Sequence, residues 1–100
     1  MSEKTFAEWL AEDHRIAILH ALAKCNGDSN ESFITMALHS FGHTSVSRDQ
    51  VRTYFAWLKE QGLISLEEIS GIMIARLTER GFEVEQGHVI TPGVKRPSRH

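Results

Sequence analysis

Between positions 48 and 53 the chain sets two guanidiniums, an amide and a hydroxyl close together: Arg48, Gln50, Arg52 and Thr53, directly after Ser47. Arginine can grip the edge of guanine with two parallel hydrogen bonds, and glutamine can do the same on adenine. These groups, with the serine and threonine hydroxyls, also bind phosphate oxygens. Each has a quieter use as well. Ser47 and Gln50 have the spacing of a capping box, and Arg52 can pair with Asp49 or Glu60 along an exposed helix surface. A second basic group, Lys95, Arg96 and Arg99, can lie along phosphates as basic arms do, or stay solvated.

Other chemistry finds less support. The chain contains no Walker loop, no GxSxG and no HExxH. Asp13 and His14 are sequence neighbours, and adjacent helical residues point in different directions, so no catalytic residue is assigned. His39 and His43 are four apart with Gly42 between them, and His14 and His20 do not share a helix face. No cysteine or glutamate cluster completes a tetrahedral set. These histidines are expected at caps or on the surface, and no metal or cofactor is expected. The single cysteine, Cys25, excludes an internal disulfide and is read as a small hydrophobe.

The elements that must position the arginines can be read from spacing. Val51, Tyr54, Phe55 and Leu58 fall at i, i+3, i+4 and i+7, one buried stripe of a helix that Ser47 starts and Gly62 ends. A first helix runs from Thr5 to about Lys24, with a Thr5–Glu8 capping box. Its stripe is Phe6, Trp9, Leu10, Ile16, Leu19, Leu22 and Ala23, widened by Ile18. Asn26-Gly27-Asp28 stops it. A second helix, capped by Ser29 or Asn30, runs to about Ser40 and buries Phe33, Ile34, Ala37, Leu38 and Phe41. Ser70-Gly71 reads as a two-residue turn that pairs Ile69 with Ile72, Leu66 with Ala75 and Ile64 with Leu77. That register turns Ile64, Leu66, Met73, Ala75 and Leu77 to the core, and Ile69, Ile72 and Ile74 outward. Thr78 to Val84 reads as a short closing helix.

A capped helix with two arginines in its first turns, followed at once by a hairpin, is the core of a winged helix-turn-helix. In such folds that helix usually enters the major groove. The expected class is therefore mainly α with a small β-hairpin (α+β). Residues 1–87 form the winged helix-turn-helix domain and 88–100 a basic, flexible tail.

Bulk properties constrain the partners. One hundred residues make one domain with a small core, and no 18-residue apolar run marks a membrane span. The first residues lack an apolar signal region, which suggests the cytoplasm of the host cell. The net charge of −2 is unusual for a stand-alone DNA binder. Residues 47–61 carry +1 (three basic, two acidic side chains) and 88–100 carry +3 (three basic, none acidic), so a basic side is available. The hairpin argues otherwise: Glu67 and Glu68 near its tip repel phosphate, and its sole arginine, Arg76, lies at its base. Apolar excess points to a homodimer through Trp9, Ile18 and Leu22, and the Ile69, Ile72 and Ile74 ribbon suits a dimer or protein contact.

Four phrases, AEDHRIAIL, FGHTSVSRDQVRTYFAWLKEQGL, GIMIARLTERGFEV and TPGVKRPSRH, resemble a family of small winged-helix proteins of Mu-like bacteriophages and prophages. The similarity spans almost the whole chain. The part from the arginine helix to the hairpin also resembles ArsR-like repressors, whose metal-sensing members use cysteine or histidine sets that Cys25 alone cannot supply. The resemblance implies a winged helix and a phage origin. The expected function is a non-enzymatic phage DNA-binding protein, a transcriptional regulator with 47–61 as recognition helix and double-stranded DNA as partner. The alternative is an interaction or phage-assembly module, with a phage protein as partner, that keeps the fold without binding DNA.

Overall fold

Every helix starts on a side chain that accepts a bond from an otherwise unpaired amide in the first turn. The computed structural model describes residues 3–97. Helix α1 (Phe6–Lys24) begins at Thr5, whose hydroxyl and backbone amide exchange bonds with Glu8 in the expected capping box. Asn30 caps α2 (Glu31–Ser40) and Ser47 caps α3 (Arg48–Glu60). Thr78 caps α4 (Glu79–Glu85), accepting from the Gly81 amide.

The remaining elements form a three-stranded antiparallel sheet of β1 (Asp28–Asn30), β2 (Ile64–Ile69) and β3 (Ile72–Leu77), with β3 in the middle. The β2–β3 register is the one expected from alternation: Ile69 faces Ile72, Leu66 faces Ala75 and Ile64 faces Leu77. Ser70 (φ 52°) and Gly71 (φ 80°) both take the left-handed conformation that a tight hairpin turn requires. Strand β1 was not expected. Asn26 and Gly27 do turn the chain, but the polar residues after them then pair with β3, Ser29 opposite Ala75. The described residues form an α+β architecture of four helices and this sheet, compatible with a winged helix.

Ile18, Leu19 and Leu22 of α1 pack with Ile34 and Leu38 of α2, Phe55 and Leu58 of α3, and Leu63 and Ala75 of the sheet. Ile18 and Leu22 are fully buried, which corrects their assignment to a dimer surface: α2, α3 and the sheet already cover that side of α1. Phe33 and Phe41, expected in the core, lie on the outer side of α2 and just beyond its end, 48% and 40% exposed. Phe6, Trp9 and Leu10 are exposed as well, because the first turns of α1 extend past the elements that cover it from His14 onward.

The segment from residue 88, expected as a flexible tail, lies against the domain as far as Pro97. Val94 is buried in the core, and the Lys95 amide donates to the Glu12 carbonyl. Arg15 donates to the Gly93 carbonyl at 2.9 Å while its guanidinium lies 4.0 Å over the Trp57 ring. A Cβ at Gly93 would come within 2.6 Å of that ring, and its φ is +92°, so glycine is what lets this strap lie so close. Arg99, part of the expected basic arm, lies outside the described residues.

Candidate nucleic-acid interface

Three of the five expected DNA-binding groups on α3 shape the helix itself. The Ser47 hydroxyl accepts from the Gln50 amide, and the Gln50 side-chain carbonyl accepts from the Ser47 amide, both at 3.1 Å. Thr53 donates its hydroxyl to the Asp49 carbonyl one turn back. The capping use of Ser47 and Gln50 thus engages their oxygens as acceptors, and leaves the Gln50 NH2 and the Ser47 O–H as donors.

Arg48 and Arg52 come together through a residue that sequence reasoning missed. Glu31, the first residue of α2, is fully buried. One of its carboxylate oxygens lies 2.9 Å from Arg48 Nε and 3.1 Å from Arg52 Nε. The other accepts from the Met73 amide of β3 at 2.7 Å. Arg52 therefore pairs across to α2, rather than along α3 to Asp49 or Glu60, the quieter use its position also allowed. Burial by itself would raise the Glu31 pKa. The Met73 amide and the two arginines outweigh it and hold the carboxyl below its ordinary value, so it is ionised at neutral pH. Two cations on one carboxylate leave a net charge of +1. Each guanidinium uses its Nε on Glu31, and both side chains remain partly exposed, at 55% and 39%. The signal available in the sequence was an arginine pair one turn apart with no acid one turn beyond it on α3.

The joint behind this surface is polar too. His14 of α1, expected at a cap or on the surface, is buried, with Nδ1 2.9 Å from the Tyr54 hydroxyl of α3 and its ring edge-on to His43 at 4.8 Å. Burial lowers the His14 pKa and the neighbouring His43 lowers it further, while burial raises that of Tyr54. The bond is therefore one between a protonated phenol and a neutral imidazole. Because the folded-state pKa is lowered, His14 adds no pH dependence to stability above its unfolded value of about 6.5. Below that, the unfolded chain takes the proton first and stability falls. Urea unfolding is expected to show stability decreasing from pH 7 to pH 5, by up to about 1.4 kcal/mol per pH unit from this residue. The decrease should be smaller in His14→Gln; an equal slope in both proteins refutes the assignment.

The other expected site residues lie elsewhere. Glu67 of the hairpin pairs with Arg76 at 2.7 Å, and Arg76 also reaches Asp28 at 3.5 Å. Ile69 and Ile72 are exposed side by side near the hairpin tip, whereas Ile74 is half-buried where β1 pairs with β3. Trp9 is the part of the expected dimer surface that stays open, 60% exposed beside Phe6 and Leu10. Lys95 sits against α1, 3.6 Å from Asp13, and Arg96 lines a cavity with it, so neither extends the α3 surface. No group of three metal-ligating side chains occurs among the described residues, and no described helix is long and apolar enough to cross a membrane.

No protein-family model matches the chain. It is similar to a protein of Escherichia phage Mu described as uncharacterized protein gp26, with 44% identity over 88 residues, covering 88% of this chain and 91% of that protein. It is also similar to an uncharacterized protein of Haemophilus influenzae (strain ATCC 51907 / DSM 11121 / KW20 / Rd), with 42% identity over 77 residues, covering 76% of this chain and 74% of that protein.

Proposed function

The chain belongs to the same family as gp26 of phage Mu, and from that premise we propose that it is a winged-helix DNA-binding protein of a phage or prophage, a regulator in which α3 enters the major groove. The observation that carries this reading is the Glu31 clamp. It fixes two arginines side by side in the first turns of α3, with a net positive charge and, among the described residues, no carboxylate partner other than Glu31. An arginine whose rotamer is already set loses less entropy when it docks on a base edge or phosphate.

A specific observation favours a second reading, an interaction or assembly module. The hairpin that would follow the DNA backbone carries Glu67 and Glu68 and exposes Ile69 and Ile72. Carboxylates repel phosphate, and paired exposed isoleucines suit a protein contact.

Fluorescence-anisotropy titration with random duplex and with duplex from the surrounding phage genome, at two salt concentrations, separates the two. The DNA reading expects salt-dependent binding and a preference for phage DNA. Replacing both arginines with glutamine should flatten the salt dependence by about one counterion for each phosphate that is no longer neutralised. The variant is to be made also on a Glu31→Gln background, so that no buried carboxylate is left unpaired, and checked for folding by circular dichroism. Absence of wild-type binding at low salt rejects the DNA reading and leaves the hairpin as the surface to pursue.

A further inference from the structure

On the side of the domain where the strap crosses α1, a cavity of about 580 Å³ opens between α1, Phe41 after α2, the end of α4 and the strap. That volume lies in the range of small-molecule sites. Its walls are of two kinds. Ile16, Ala17, Phe41 and Pro97 give an apolar side, and Phe41 is 40% exposed, a large aromatic face left beside a hollow. The polar side is largely engaged with itself. Asp13 has Lys95 at 3.6 Å. Glu85, itself buried, has His20 at 3.0 Å and the Gln86 amide at 2.6 Å. Arg96 is the cation left over: it has no carboxylate partner among the described residues.

We propose that this cavity binds a small amphipathic anion, with an apolar body against Ile16, Ala17 and Phe41 and a carboxylate or similar single charge on Arg96. A neutral or cationic ligand does not fit as well. Asp13 is paired with Lys95, and both Glu85 oxygens are hydrogen-bonded, to His20 and Gln86, so a cation gains less there, and a neutral ligand leaves Arg96 without a counter-ion. The proposal is independent of DNA binding, since it uses no atom of the α3 surface.

The test uses the full chain, phenylbutyrate as probe and its uncharged amide, phenylbutyramide, as control, read by backbone amide chemical shifts. Saturable shifts are expected at Ala17, Phe41, Gln86 and Lys95, with a dissociation constant in the millimolar range, the order for about a dozen heavy atoms. The amide should bind about tenfold more weakly, and Arg96→Gln should weaken phenylbutyrate by a similar factor. Arg96 is exposed, so this variant keeps the fold, which the unperturbed remainder of its spectrum verifies. Scattered or absent shifts overturn the proposal. So does localised binding that the amide, or the Arg96→Gln protein, reproduces at equal affinity.

Discussion

Replacing Gly81 with alanine is expected to destabilise the protein by about 3 kcal/mol, at the upper end for added bulk in a packed site. For a chain of this size that lowers the melting temperature by roughly 10–20 °C. The reason is the obstacle. A Cβ at Gly81 would sit 1.9 Å from the Leu63 carbonyl oxygen and 3.0 Å from Leu77 Cδ2. The oxygen is backbone and is held in place, because it accepts from the Thr78 amide at 3.1 Å. Thr78 is tied again by its hydroxyl, which donates to the Gly62 carbonyl and caps α4 on the Gly81 amide. The Leu77 side chain can shift but the Leu63 carbonyl cannot, so α4 has to lift and expose Val84, a core residue. Alanine's better helix propensity returns only about 1 kcal/mol. Thermal unfolding measures the outcome, and an unchanged melting temperature means that α4 does not rest on the Leu63 carbonyl.

Gly81 also marks what sequence can and cannot convey. Local rules were legible. Thr5–Glu8 and Ser47–Gln50 announced their capping boxes, and Ser70-Gly71 with period-two alternation announced the hairpin to the residue. Features set by what packs against an element were not. Strand β1 has no alternating apolar pattern; it exists because β3 leaves an edge to pair with. Phe33 and Phe41 match a helical stripe, yet the buried side of α2 is filled by Ile34 and Leu38. The strap reads as a Pro/Gly-rich tail and is fixed by single contacts, Val94 in the core and Gly93 on Trp57, that lie far apart in sequence. The candidate site divides the same way. Both arginines were legible from their spacing on α3, whereas Glu31 lies 17 residues from Arg48 and 42 from Met73, and only the fold makes it their partner.

The second large effect is expected at that residue. Glu31→Ala leaves the Met73 amide without its acceptor and releases two guanidiniums from a shared carboxylate. A buried ion pair broken from one side costs roughly 3–5 kcal/mol when the remaining charge stays buried. Arg48 and Arg52 are half exposed and regain water, so the expected loss is smaller, about 2 kcal/mol by urea unfolding at pH 7. Glu31→Gln keeps an acceptor for Met73 and should lose about half as much. The pKa gives a second check. The folded-state carboxyl is held below its unfolded value, so its stabilisation is complete above the usual carboxylate range and fades as pH falls through the folded pKa. The gap between wild type and Glu31→Ala should therefore narrow in strong acid; a gap that persists undiminished shows that the charge is not what matters. Binding gives a third check, because charge and positioning act in opposite directions. Removing Glu31 adds one positive charge beside α3, which should tighten binding to random duplex at low salt. The same change frees the arginines to adopt other rotamers, which should reduce the preference for phage DNA over random duplex. An affinity that rises while selectivity falls is the signature of a buried carboxylate that aims a pair of arginines, and one that falls equally for both duplexes reduces Glu31 to a structural support.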